Sequence, residues 1–186
     1  GSSAANDGAG VFVAGTSGGW LTFGTSTPSF EVDARIGTIV ANSTTTAYQI
    51  GYSEIITSNN QYETETINNV GCYFIATSTT PNWLAKCASG TATTSINTGI
   101  ASTTGSSGAG VWGTFRIDGD GNNVIFYARR GPTSTLQEIT KITGASIPTV
   151  PLNAGIFFGR TFGTQAIQFD WKDMSFSARR VPPPLT

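Results

Sequence analysis

Glu31 and Asp33, two residues apart, are the first side chains whose type and spacing could do chemistry. In the run Phe30-Glu31-Val32-Asp33-Ala34-Arg35-Ile36, strand alternation puts Glu31, Asp33 and Arg35 on one face. Phe30, Val32, Ala34 and Ile36 fall on the other. Carboxylates sharing a face are what glycoside hydrolysis uses: a retaining enzyme sets its nucleophile about 5–5.5 Å from a general acid. The next candidate positions hold Arg35 and Ile36, so no further acid is in line to protonate a leaving group. The reading adopted is a solvated strand face whose alternating charges pair across strands.

Three other groups invite chemistry. Asp118-Gly119-Asp120-Gly121-Asn122-Asn123 opens like a calcium loop, but such a loop needs Gly at its sixth position and Glu at its twelfth. Those positions are Asn123 and Arg129, and a tight hairpin turn accounts for every residue of the run. Cys72 and Cys87 are the two cysteines. If the chain between them turns about Thr79–Thr80, the two face each other, which permits a cross-strand disulfide. Two buried thiols are the alternative in a reducing cytoplasm, so the pair is expected reduced or mixed during folding and oxidised later. Trp20, Trp83, Trp112 and Trp171 could stack on sugar rings. Trp171 alternates with Ile167 and Phe169 and is expected in the core. Trp83 follows a Pro-Asn turn and Trp112 a Gly-rich loop, so these two, with Tyr62, are the candidate ligand or partner contacts.

Composition removes whole classes of function. Ten basic residues against eleven acidic leave a net charge of −1, which argues against binding driven by phosphate neutralisation. No histidine is present, so neither a Ser-His-Asp triad nor a histidine-ligated zinc site can be built within the chain. No apolar run approaches the roughly 18 residues of a membrane span, and the N-terminus lacks the pattern of a signal peptide. No metal or cofactor is implied.

The elements that would position these residues are strands. Good helix formers never recur at 3.6-residue spacing, whereas β-branched and aromatic residues alternate in short runs between turn signals. Residues 1–10 are expected as a flexible arm, 11–180 as one domain, and the Pro-rich 181–186 as an extended tail. Strands are expected at Val11–Ala14, Trp20–Phe23, Phe30–Val40, Ala47–Ser53, Val70–Ala76 and Trp83–Cys87. Residues 54–68 form a long loop, and 89–110 an irregular strand with a loop near Thr103 to Gly108. Further strands are expected at Val111–Ile117, Val124–Ala128, Leu136–Ile142, Ala154–Gly159 and Ile167–Ser177. Leu136, Ile139 and Ile142 would also suit a helical turn, but the brevity of the run favours a strand. In the last strand apolar parity switches after Trp171, which predicts a β-bulge near Lys172–Asp173. The whole reads as all-β, a two-sheet antiparallel jelly-roll sandwich.

The order Phe30-Glu31-Val32-Asp33-Ala34-Arg35, Tyr48-Gln49-Ile50-Gly51-Tyr52, Gly71-Cys72-Tyr73-Phe74, Asn82-Trp83-Leu84-Ala85 and Thr98-Gly99-Ile100 continues through Trp112-Gly113-Thr114-Phe115-Arg116-Ile117, Val124-Ile125-Phe126-Tyr127, Ile147-Pro148 and Phe169-Asp170-Trp171. It resembles the concanavalin A-like (lectin/glucanase) jelly roll of bacteriophage structural and tail proteins. It departs from that pattern at Arg129-Arg130-Gly131-Pro132, where an Asn-Gly turn is usual, and in a longer Ser/Gly insertion before Trp112. Glucanases of this fold carry Glu-x-Asp-x-(x)-Glu; Glu31 and Asp33 match its first two positions and nothing matches the third. The resemblance implies a non-enzymatic virion surface protein, a capsid decoration or cement protein or a small fibre or spike head. Its partners would be the major capsid or tail protein, and by virion symmetry it would form a homo-oligomer, a trimer by expectation. The alternatives are a carbohydrate-binding module for host-surface glycans and, with its catalytic acid missing, a secreted glycoside hydrolase.

Overall fold

The computed structural model describes residues 7–13, 21–38, 46–54, 70–77, 80, 82–102, 112–120, 122–130, 134–160 and 168–180. These hold eleven strands and no helix. They are β1 (Asp7–Val13), β2 (Ser26–Thr38), β3 (Thr46–Ser53), β4 (Gly71–Thr77), β5 (Asn82–Ala88), β6 (Thr93–Ala101), β7 (Gly113–Asp120), β8 (Asn123–Arg130), β9 (Gln137–Thr143), β10 (Asn153–Arg160) and β11 (Gln168–Arg180). One sheet has six strands in the order β1-β10-β3-β4-β5-β6, the other five in the order β11-β2-β7-β8-β9. All pairings are antiparallel. The expected all-β jelly-roll sandwich is what the chain forms.

Alternation explains the core. Phe30, Val32, Ala34 and Ile36 of β2 are at most 2 % exposed and face Tyr48, Ile50 and Tyr52 of β3, all fully buried. Aromatic rings bridge the layers: Phe74 of β4 meets Phe115 and Phe126 of the other sheet at 5.1 Å each, edge to face. Phe30 and Phe23 both pack against Tyr52. Such pairs add about 0.5–1.5 kcal/mol beyond the area they bury. Gly51 lies between the two buried tyrosines with φ +142°. A Cβ there would stand 2.6 Å from Ile117 of the facing sheet and 2.7 Å from the Cys72 carbonyl oxygen, so only glycine fits.

Both strands with irregular apolar spacing carry a bulge. In β11, Lys172 pairs with Asp33 and Ser175 with Glu31, so one extra residue sits where the parity switch predicts it. Asp173 there adopts φ +50°, a left-handed conformation that Asp tolerates. In β9, Thr140 pairs with Phe126 and Glu138 with Tyr127, leaving Ile139 unmatched and turned to the core. The three-residue spacing of Leu136, Ile139 and Ile142 is therefore a bulged strand and not a helical turn.

Three expectations change. Asp7–Gly10, assigned to the flexible arm, pair with Arg160–Phe157 as part of β1. Trp20–Phe23 is no strand over its described part: Leu21 makes one bridge to Leu152 and Phe23 one to Ser26. Trp171 is 40 % exposed and not core. It opposes buried Ala34, but among the described strands β11 is the edge of its sheet. Trp20, the loop residues 55–69 and 103–111, and the tail 181–186 lie outside the described residues.

Candidate functional site

On the outer face of the five-stranded sheet the register builds rows of charge. Glu31 opposes Arg116, which opposes Tyr127, which opposes Glu138. Lys172 opposes Asp33, which opposes Thr114, which opposes Arg129. Arg116 Nη2 lies 2.7 Å from Asp118, which holds the guanidinium pKa above its ordinary value, and 4.0 Å from Glu31. Arg129 Nε donates to Thr114 Oγ1 at 2.6 Å, and that hydroxyl donates to Asp33. Arg35 Nε donates to Asp170 at 2.7 Å. Here Glu31 and Asp33 are members of an ion-pair lattice. Asp118, the first residue of the calcium-like run, accepts a bidentate fork from Arg116. Asp120 and Asn123 close the hairpin as direct partners.

The aromatic candidates separate. Trp83 is 3 % exposed and its ring lies tilted 4.8 Å from that of Phe115, so it is a core residue and not the exposed aromatic its place after a turn suggests. Its position after the turn falls on the inward parity of β5, which the turn alone does not reveal. Trp112 is half-buried at the edge of the charged face, with Arg35 at 5.0 Å and Lys172 at 5.2 Å from its ring centre. Cations already occupy that ring. Tyr62 lies outside the described residues. Cys72 and Cys87 are direct cross-strand partners on the inner face, Cα atoms 4.1 Å apart, and their sulfurs are bonded.

The outer face of the six-stranded sheet is of another kind. Register sets three rows across it: Asn153–Ser53–Gly71–Ala88, then Gly155–Gly51–Tyr73–Lys86, then Phe157–Gln49–Ile75–Leu84. Ala47, Tyr73, Ile75 and Leu84 form a second apolar cluster, separate from the core. The outward side of a two-layer sandwich should be wet and polar. Instead Gln49 is 3 % exposed, Lys86 8 %, Ser53 2 %, and Asn153 only 1 %. Both amide atoms of Asn153 lack a hydrogen-bond partner among the described residues. A buried polar group left so costs about 1–3 kcal/mol and calls for an explanation. Beside Asn153, the positions of Gly155, Gly51 and Gly71 carry no side chain, so backbone forms the floor there.

Asn153 and Lys86 belong to no motif of the sequence. A signal existed: isolated glycines inside strand patterns mark close approach of a ligand or another backbone. Gly51, Gly71 and Gly155 each interrupt or open an apolar run, and the register brings them together.

No known protein family matches the chain by sequence, and no curated protein does. Its fold does match solved structures. Alginate lyase AlyC3 in complex with dimannuronate aligns at a TM-score of 0.51 and 9 % identity, over 89 % of this chain and 69 % of that one. The CBM2 module of the evolved Dit of Lactobacillus casei BL23 phage J-1 aligns at 0.50 and 12 % identity, over 91 % and 67 %. The exoplasmic/lumenal domain of VIP36 in its Ca2+/Man-bound form aligns at 0.50 and 10 % identity, over 97 % and 85 %. At such identities the likeness is one of fold: the chain shares the two-sheet jelly-roll sandwich of these structures.

Proposed function

We propose that this chain binds a saccharide on the outer face of its six-stranded sheet, without cleaving it, as a surface module of a bacteriophage particle. The observation that carries the reading is the Asn153 amide, unpartnered and 1 % exposed beside three glycines. An amide offers a donor and an acceptor, which suits sugar hydroxyls. The fold neighbours support the class of ligand, since two of them hold dimannuronate and Man. The phage Dit module and the sequence resemblance support the virion surface as its location. Attachment to the major capsid or tail protein, and assembly as a trimer, belong to the same proposal. Absence of turnover is supported by Glu31 and Asp33, which are engaged by Arg116, Lys172 and Thr114.

A glycan array followed by calorimetry on the best oligosaccharide tests this, with wild type, Asn153→Leu and Trp112→Ala. Leu has nearly the shape of Asn, so Asn153→Leu is expected to raise unfolding stability by about 1–3 kcal/mol while weakening binding about tenfold or more. Trp112→Ala, on the opposite sheet, leaves affinity unchanged. An array without hits, or binding lost in Trp112→Ala and kept in Asn153→Leu, overturns the reading.

A further inference from the structure

At one end of the sandwich, away from both sheet faces, three turns enclose a cleft of about 250 Å3 lined by Phe23, Asn122, Gly144, Ile147, Pro148 and Thr149. Its parts come from the turn before β2, the β7–β8 hairpin and the turn after β9. The last turn is closed by Ile147 N–H donating to the Gly144 carbonyl at 3.1 Å. Phe23 is held from behind by an edge-to-face contact with Tyr52 at 5.3 Å. The Asn122 Oδ1 lies 3.7 Å from where a Gly24 Cβ would stand, so the hairpin side chain leans over the turn before β2.

The walls divide by chemistry. Phe23, Ile147 and Pro148 are buried and apolar, while Asn122 and Thr149 stand exposed at the rim. Neither the Asn122 amide nor the Thr149 hydroxyl is engaged by a described group. Two unspent polar groups at the rim of an apolar floor match a ligand with one apolar face and hydroxyls on its edge. The volume lies below the roughly 300–1,000 Å3 of sites for drug-sized ligands, which leaves room for about one ring.

We infer that this cleft is a second binding site and takes a single neutral pyranose ring. The C–H face of the ring lies on Phe23, Ile147 and Pro148; its hydroxyls meet Asn122 and Thr149. The inference borrows only the class of ligand from the sheet-face reading, since none of its residues belongs to that face. A free monosaccharide and the terminal sugar of a glycan present the same ring, and the experiment separates them.

Saturation-transfer NMR with the methyl glycosides of glucose, galactose, mannose and N-acetylglucosamine tests it, alongside oligosaccharides ending in the same sugars. Wild type is expected to bind at least one methyl glycoside. Thr149→Trp, at an exposed rim position, fills the cleft and abolishes that binding. Asn122→Ala weakens it roughly 3- to 10-fold, the worth of one or two hydrogen bonds. Asn153→Leu leaves it unchanged, and thermal melts confirm that each variant folds. If only oligosaccharides bind, and Thr149→Trp removes that binding, the occupant is a glycan terminus. No binding of any probe at millimolar concentration overturns the inference, as does binding untouched by both Thr149→Trp and Asn122→Ala. Oligosaccharide binding that survives Thr149→Trp but fails in Asn153→Leu retains the sheet-face site and removes this one.

Discussion

On the outer face of the five-stranded sheet, Glu31, Asp33, Asp118 and Asp170 each find a cation within 4.0 Å, and the side chains stay part-exposed. On the outer face of the six-stranded sheet, Gln49, Lys86 and Asn153 are at most 8 % exposed, and the Asn153 amide has no hydrogen-bond partner among the described residues. Strand geometry is the same in both. What differs is whether water can reach the polar groups. Exposed charges are screened and each contributes little, so that face tolerates change. A sheltered polar group carries its full desolvation cost, and its persistence points to use.

The contrast can be broken most sharply at Gly51. Gly51→Ala places a methyl group against Ile117 and the Cys72 carbonyl in a left-handed backbone, and the expected loss is about 4 kcal/mol or more. Urea denaturation reads it; a loss below about 1 kcal/mol would mean that the six-stranded sheet yields as easily as the charged face. Next in size is the Cys72–Cys87 link beneath the same face, which spans 15 residues and contributes about 3 kcal/mol by loop closure. The Cys72→Ala/Cys87→Ala variant is expected to unfold at correspondingly lower urea, and thiol titration of denatured wild type should find free thiols only after reduction.

Alkaline pH sharpens the comparison through tyrosines. Burial pushes the Tyr48 and Tyr52 phenols well above their usual 10.0. The folded state therefore holds these protons when the unfolded state has released them. Stability is full below about pH 10 and falls above it, by about 1.4 kcal/mol per pH unit for each tyrosine. Tyr127, on the charged face, is raised by partial burial and by Asp118. Phenolate absorbance should show it ionising before the cooperative unfolding that releases Tyr48 and Tyr52; simultaneous ionisation of all three would erase the distinction between interior and face. The smallest effect belongs to the lattice itself. Arg116→Ala is expected to cost no more than about 1 kcal/mol, and less in high salt. A larger, salt-insensitive loss in thermal melts would make the exposed face structural.

Much of the fold was legible because period-two alternation is a local property. Phe30 to Ile36 announced an inward and an outward face, and both are where alternation puts them. The bulge at Lys172–Asp173 was readable for the same reason, as a break in parity within one strand. Trp83 and Trp171 were misplaced because a turn nearby, or apolar neighbours, do not say whether a partner layer covers the residue. Asp7–Gly10 looked like an arm because nothing in their own composition marks them as the partner of β10.

By itself the sequence determined the strand class, the inward sets of most strands, the pairing of Cys72 with Cys87 across one hairpin, and the exclusion of imidazole chemistry. Tertiary structure alone decided which outward faces are wet and which are sheltered. It gathered Gly51, Gly71 and Gly155 beside Asn153, and it closed a cleft from three turns far apart in the chain. The reason is physical: side-chain direction is set within a few residues, whereas burial depends on contacts between segments whose separation along the chain carries no local signal.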